Sequence, residues 1–68
     1  MRTIAAERAL RSMSQADLAN ELGVSRLTVA RWELGESTPS VDTITKIADF
    51  FGVSTDYILG RSMERLPR

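Results

Sequence analysis

Several residue types that often build functional sites are missing from this 68-residue sequence. It has no cysteine, which excludes a disulfide framework, a thiol nucleophile and a thiolate metal site. It has no histidine, so the usual zinc ligand and the usual general base near neutral pH are also absent. There is no convergent carboxylate pair and no glycine-rich phosphate loop either. The sequence therefore argues against an enzyme, and we expect no cofactor and no metal site.

Long hydrophobic runs are absent as well. No apolar segment approaches the roughly 20 residues that a membrane span needs, and the first residues do not resemble a signal peptide. Hydrophobic residues nevertheless make up 43% of the chain, as in a folded protein. We expect one small cytoplasmic domain that has no membrane partner.

The net charge is zero, which by itself does not favour a nucleic-acid partner. The distribution of charge is uneven. Residues 1–32 hold five arginines and three acidic residues, whereas residues 33–60 hold one lysine and five acidic residues. Residues 61–68 are basic again, with three arginines and one glutamate. Such polarity is common in small proteins and carries little weight without other signals.

Serine and glycine divide the chain into segments. Serine side chains cap the first turn of a helix, and glycine adopts the left-handed conformation that follows a helix end. The serines are Ser14, Ser25, Ser40 and Ser54, and the glycines are Gly23, Gly35, Gly52 and Gly60. They predict five helices, at about residues 2–12, 15–22, 26–34, 41–51 and 55–59. Because no segment alternates with a period of two, the predicted fold class is all-α.

Helical periodicity then assigns buried faces. On the fourth helix the predicted buried stripe consists of Val41, Ile44, Ile47, Ala48 and Phe51. On the fifth helix, Ile58 and Leu59 are expected to reach back to the core.

The third helix carries the unusual face. Val29 and Trp32 share one side and are expected to anchor the helix in the core. Arg26, Leu27 and Arg31 then point to solvent, with a short alanine between the two arginines. Such a face can approach another surface closely, while the long guanidinium side chains reach to either side.

The connection before this helix is equally specific. Ala19, Gly23 and Val29 are spaced as in two helices that cross steeply around a tight turn. This is the geometry of a helix-turn-helix, whose second helix enters the major groove of DNA.

The chain resembles the helix-turn-helix family of phage lambda repressor and Cro proteins, also called XRE-type regulators. The resemblance covers about residues 4–60 and includes SQ at 14–15, LANELGVS at 18–25, RWE at 31–33, and the GVS and IL of the final helix. It implies a compact five-helix lambda repressor-like domain over residues 1–60, with the motif at about 15–34, and a short C-terminal extension over 61–68. It also implies a dimer that binds a palindromic double-stranded DNA operator, most often as a repressor of transcription.

The resemblance also implies roles for individual residues. Arg26, Leu27 and Arg31 occupy the base-reading positions, where arginine pairs with guanine and leucine can contact a thymine methyl group. The positions expected to contact the DNA backbone, or to support such contacts, are Gln15, Ser25, Thr28, Ser37 and Thr38. Gln15 is also expected to brace Arg26.

Two further sets of residues follow from the family pattern. Glu33 is expected to form a buried structural ion pair with Arg8. A dimer contact is expected at Tyr57, Arg61, Met63 and Leu66.

The sequence departs from the family at two places. Ser12 stands where a glycine usually precedes the SQ helix, and the loop GESTPS lacks the basic residues often found there. The second departure predicts modest affinity for phosphates.

Other functions remain open at this stage. A restriction-modification controller or a DNA-binding antitoxin would have much the same sequence. A protein-interaction module, with a toxin or antirepressor as its partner, is the alternative from a different class. Such a module would not need Arg26, Arg31 and Gln15 together.

Overall fold

Serine caps begin four of the helices in the part of the chain that the structure describes, residues 1–63 of a computed structural model. Each serine side chain accepts a hydrogen bond from the backbone N–H three residues later. At Ser14 the bond is reciprocated, because Asp17 accepts from the Ser14 N–H and completes a capping box. The helices are α1 (Arg2–Leu10), α2 (Gln15–Leu22), α3 (Arg26–Leu34), α4 (Val41–Phe51) and α5 (Thr55–Ile58).

The all-α prediction is confirmed, since residues 1–63 contain no strand. The bounds predicted for α2, α3 and α4 agree with the structure. Among these residues no helix is long and apolar enough to cross a bilayer.

The first helix is two residues shorter than predicted. Ser12 has a φ of 54°, in the left-handed region that L-residues other than glycine seldom adopt. Its N–H donates to the Ala9 carbonyl at 3.0 Å, and the Met13 N–H donates to the Arg8 carbonyl at 3.1 Å. The helix therefore closes early, at Leu10. The fifth helix also ends one residue early, at Ile58.

All five helices contribute to one hydrophobic core. Its buried residues are Ile4, Leu18, Ala19, Val29, Trp32, Ile44, Ile47, Ala48, Phe51, Val53 and Ile58. The predicted stripe of α4 was wrong at Val41, which is 82% exposed because it is the first residue of the helix. Pro39, two residues earlier, is buried instead. Leu59 was also placed wrongly in the core; it follows the last turn of α5 and is exposed.

Polar side chains attach α1 to the distant helices α4 and α5. The Thr3 hydroxyl donates to the Ile58 carbonyl at the end of α5, at 2.6 Å. The Arg11 Nη2 donates to the Phe51 carbonyl at the end of α4, at 2.7 Å, and its guanidinium lies 4.6 Å from the centre of the Phe51 ring. Carbonyls in the last turn of a helix have no partner within the helix, so these bonds satisfy groups that would otherwise require water.

Glu7 is the buried charge that sequence reasoning missed. Glu7 is 0% exposed. One of its carboxylate oxygens accepts a hydrogen bond from Arg11 Nη1 and the other accepts one from the Tyr57 hydroxyl, both at 2.9 Å. A buried carboxylate is tolerated only when it is paired and hydrogen-bonded. The spacing of four residues between Glu7 and Arg11 was the available signal, since it favours an ion pair on one face of a helix.

Tyr57→Phe should therefore lower the free energy of unfolding by about 1–2 kcal/mol, because it removes a donor from a buried carboxylate. Urea denaturation measures the change, with Lys46→Ala on the exposed side of α4 as a control expected within about 0.5 kcal/mol of wild type. Equal stability of Tyr57→Phe and the control would show that the hydroxyl bond contributes nothing.

Candidate nucleic-acid interface

The turn between α2 and α3 is set by Gly23. This residue has a φ of 71°, and a Cβ added to it would meet no atom within 4 Å. Glycine is therefore required by the backbone conformation and not by a close approach of the helices. The Val24 N–H donates to the Ala19 carbonyl at 3.0 Å and closes the end of α2. The turn directs the chain from α2 into α3 with one residue, Ser25, left to cap the new helix.

The third helix has the two faces predicted from its sequence. Val29 and Trp32 are buried, and they attach the helix to the core. Arg26 and Arg31 are exposed, and Leu27 exposes 51% of its surface although it is apolar. Leu34, one turn beyond Arg31, is also largely exposed and extends this face.

Four of the five predicted backbone-contact residues lie at or near the two ends of α3. The hydroxyls of Ser25 and Thr28 are 2.8 Å apart at its first turn, where Ser25 also caps the Thr28 N–H. Ser37 and Thr38 are exposed in the connection between α3 and α4. Hydroxyl groups at both ends of one helix can donate to phosphates that flank a groove.

The structure brings Arg8 and Glu33 together in a two-bond pair. Arg8 Nε lies 2.7 Å from Glu33 Oε2, and Arg8 Nη2 lies 3.0 Å from Glu33 Oε1. The side chains are 20% and 8% exposed, so the pair is largely but not completely buried. The remaining Arg8 Nη1 donates to the Met13 carbonyl at 2.7 Å, in the turn before α2. One guanidinium therefore holds α1, the α1–α2 turn and α3 in fixed relation.

Gln15, the first residue of α2, extends this pair toward the surface. Its Nε2 donates to Glu33 Oε1 at 3.0 Å, and its Oε1 accepts from Arg26 Nη1 at 3.3 Å. The link between Gln15 and Glu33 was not predicted from the sequence. No sequence signal points to it, because it requires the packing of α2 against α3.

The hydrogen bonds decide the ionisation of Glu33. Burial raises the pKa of this carboxyl, but the bonds from Arg8 and Gln15 act in the opposite direction and outweigh burial. The pKa of Glu33 therefore lies below its ordinary value of 4.5. The hydrogen bond to Glu33 raises the pKa of Arg8 in turn, so both partners are charged at neutral pH.

The predicted dimer residues lie at the end of the described chain. Arg61 and Met63 are exposed, and Met63 almost completely so. Tyr57 is half-buried, with its hydroxyl on Glu7 inside the domain. Leu66 lies outside the described residues. Within residues 1–63 no cluster of three or more carboxylates could hold a metal ion.

Comparison with known proteins agrees with this geometry. A family model described as helix-turn-helix matches residues 4–58, most of the chain. The chain belongs to the helix-turn-helix family of transcriptional regulators.

Individual relatives are named in the same terms. The chain is 49% identical over 51 residues to an uncharacterized HTH-type transcriptional regulator of Methanocaldococcus jannaschii, covering 75% of this chain and 77% of the relative. It is 36% identical over 52 residues to the SPbeta prophage-derived uncharacterized HTH-type transcriptional regulator YonR of Bacillus subtilis, covering 76% of this chain and 48% of YonR.

A third relative is the cryptic phage CTXphi transcriptional repressor RstR of Vibrio cholerae, 34% identical over 58 residues. That match covers 85% of this chain and 52% of RstR. The chain thus spans about half the length of RstR and of YonR. No solved structure matches the chain significantly.

Glu33→Ala should destabilise the fold by about 2–3 kcal/mol, because it leaves a largely buried guanidinium without its carboxylate. The value lies below the range for a fully buried pair, since water reaches part of Arg8. Chemical denaturation at pH 7 measures it.

The contribution of Glu33 should also depend on pH. Because its pKa is lowered on folding, the carboxylate stabilises the fold above pH 4.5, and this stabilisation is lost as pH falls through the folded-state pKa. The stability difference between wild type and Glu33→Gln should therefore be largest near pH 6–7 and shrink below about pH 4.5. Glu21→Gln, at an exposed glutamate of α2, is the matched control. A Glu33→Gln difference that stays constant from pH 7 to pH 3 would contradict this account.

Proposed function

We propose that this helix-turn-helix protein is a sequence-specific regulator that represses transcription as a dimer. In this proposal α3 lies in the major groove of each half of a palindromic operator. The observation that supports it most directly is the face of α3, where Arg26, Leu27 and Arg31 are exposed together above a buried Val29 and Trp32. A helix that is buried on one side and exposes arginine side chains on the other fits the major groove, which is about 12 Å wide.

The chemistry of this face suits base reading. Arginine can donate two parallel hydrogen bonds to O6 and N7 of guanine, and each good pair discriminates against the wrong base by about 1–3 kcal/mol. Leu27 offers no hydrogen bond, so its place is against a thymine methyl group. Ala30 lies between Arg26 and Arg31 and keeps the middle of the face low enough for close approach.

Contacts to phosphate would fix the register of α3. Gln15 at the start of α2 can use the amide proton that does not bond to Glu33, and the N-terminus of that helix attracts anions. Ser25, Thr28, Ser37 and Thr38 supply hydroxyl donors around α3. The loop between α3 and α4 has no basic residue, so the salt dependence of binding should be shallow.

The repressor role is supported by the resemblance to RstR, which is itself named a repressor. The proposed dimer brings two α3 helices to half-sites about one helical turn apart. Its contact would be built from Tyr57, Arg61, Met63 and Leu66. The place of action is the cytoplasm, where the operator DNA lies.

Arg31→Ala tests base reading. Selection of bound duplexes from a random pool should yield a palindromic motif that contains guanine. Arg31→Ala should bind the selected duplex about 5- to 150-fold more weakly, which corresponds to the loss of one arginine–guanine pair worth about 1–3 kcal/mol. Fluorescence anisotropy measures both affinities.

Arg2→Ala is a suitable control, because Arg2 is an exposed arginine on α1 and not on α3. It should change affinity about equally for selected and random duplexes. If no motif is enriched, and weak binding is indifferent to Arg31, the regulator proposal fails and a protein partner becomes the better explanation.

Met63→Asp combined with Leu66→Asp tests the dimer. Two carboxylates at a self-complementary contact face their own copies, so the variant should sediment as a monomer at concentrations where wild type is dimeric. Leu10→Asp, at another exposed apolar position, is the control and should leave the dimer intact. Wild type that stays monomeric at high concentration, both alone and on the operator, would contradict this part of the proposal.

A further inference from the structure

Gln15 connects a largely buried ion pair to the exposed face of α3. It is half-buried, with Glu33 on its amide nitrogen and Arg26 on its amide oxygen. Arg8 completes the series from the interior by two bonds to the same carboxylate. A continuous series of hydrogen bonds therefore runs from Arg8 on α1, through Glu33 and Gln15, to the exposed guanidinium of Arg26.

The direction of these bonds is fixed at the interior end. An ionised carboxylate can only accept hydrogen bonds, so Gln15 must turn its NH₂ group toward Glu33 and its oxygen toward the surface. The opposite amide orientation would place two oxygens together on the inside. It would also direct the NH₂ group at the cationic guanidinium of Arg26. Both ends of Gln15 therefore favour the same orientation.

We propose that Glu33 is a positioning residue for base reading, and that it acts on Arg26 through the Gln15 amide. This inference rests on the proposed function, in which α3 reads DNA. The Gln15 oxygen holds Nη1 of Arg26 and leaves Nη2 and Nε to face a guanine. Without the carboxylate the amide can rotate, and Arg26 loses the acceptor that orients it. The effect is confined to the base pair that Arg26 reads, whereas Arg31 has no bond to this series among the described residues.

The free protein provides the first test, by NMR of side-chain amides in a ¹⁵N-labelled sample. The chain has one glutamine and one asparagine, so Gln15 and Asn20 give the side-chain amide signals of the wild type. Asn20 is exposed on α2 and serves as an internal reference. The Gln15 amide should be ordered in wild type and become as mobile as Asn20 in Glu33→Gln. A Gln15 amide that is already as mobile as Asn20 in wild type would overturn the inference without any DNA.

The second test measures discrimination on the selected operator. The test uses variants of the selected operator that differ at one base pair, the one at which Arg26→Ala loses the base preference of the wild type. Glu33→Gln should reduce the preference for guanine there by about 3- to 10-fold, the range of one net hydrogen bond. The preference at the base pair read by Arg31 should not change. In an Arg26→Ala background, Glu33→Gln should have no further effect on the preference, because the side chain on which it acts is gone.

Two variants separate positioning from stability. Val53→Ala opens the core between α4 and α5, away from the α2–α3 motif, and should leave the base preference unchanged. Arg8→Met combined with Glu33→Met replaces the ion pair by apolar side chains of similar length, which a fold often tolerates. It should loosen the Gln15 amide and reduce the same preference even where Glu33→Gln is too unstable to study.

The outcomes distinguish the two proposals. If wild type enriches an operator but Glu33→Gln weakens every duplex equally, Glu33 is only structural, and this inference fails while the proposed function stands. If wild type enriches no operator at all, the proposed function fails and the inference fails with it. Support requires both the mobile Gln15 amide and a loss of preference confined to one base pair.

Discussion

The ion pair between Arg8 and Glu33 is the interaction on which the arrangement of the first three helices depends. Its guanidinium also holds the Met13 carbonyl of the α1–α2 turn, and its carboxylate also holds Gln15 at the start of α2. The pair thus adds directional bonds to the apolar packing of α2 against α3, the two helices of the helix-turn-helix. An apolar contact in the same place would tolerate small sliding movements, whereas a two-bond pair with a planar guanidinium specifies both distance and orientation.

A small domain needs such bonds because its core is thin. The first helix buries only one apolar residue, Ile4, together with the charged Glu7. Its attachment therefore depends on polar side chains, each of which reaches a different partner: Thr3 the end of α5, Arg11 the end of α4, and Arg8 the third helix. Hydrogen bonds of this kind contribute about 1 kcal/mol each, but a removed partner leaves a buried polar group that costs more. Because of this asymmetry, the hydrogen bonds fix the position of α1 against the other helices, although α1 buries little apolar surface.

Local features of this structure could be predicted from the sequence more completely than tertiary contacts. Serine caps and left-handed glycines act within four or five residues, so α2, α3 and α4 could be located from sequence. The end of α1 could not, because Ser12 adopts a backbone conformation that its residue type disfavours. Val41 continued the apolar periodicity of α4 but precedes the part of the helix that faces the core. The Tyr57–Glu7 and Gln15–Glu33 bonds depend on which helices meet, and periodicity on a single helix carries no such information.

Zero net charge does not by itself favour DNA binding, but the placement of the carboxylates reconciles it with the proposed function. Glu7 and Glu33 are turned inward and matched by Arg11 and Arg8, so they do not oppose a phosphate at the surface of α3. Arg26 and Arg31 remain exposed on that surface. Non-specific binding arises almost entirely from total basic charge, whereas base reading arises from a few oriented donors. Under the proposed function, a neutral chain with two arginines on one helix face would have little attraction to random DNA, and a larger share of its affinity would depend on the bases that α3 contacts. In such a protein the orientation of a single guanidinium matters more than in a strongly basic one.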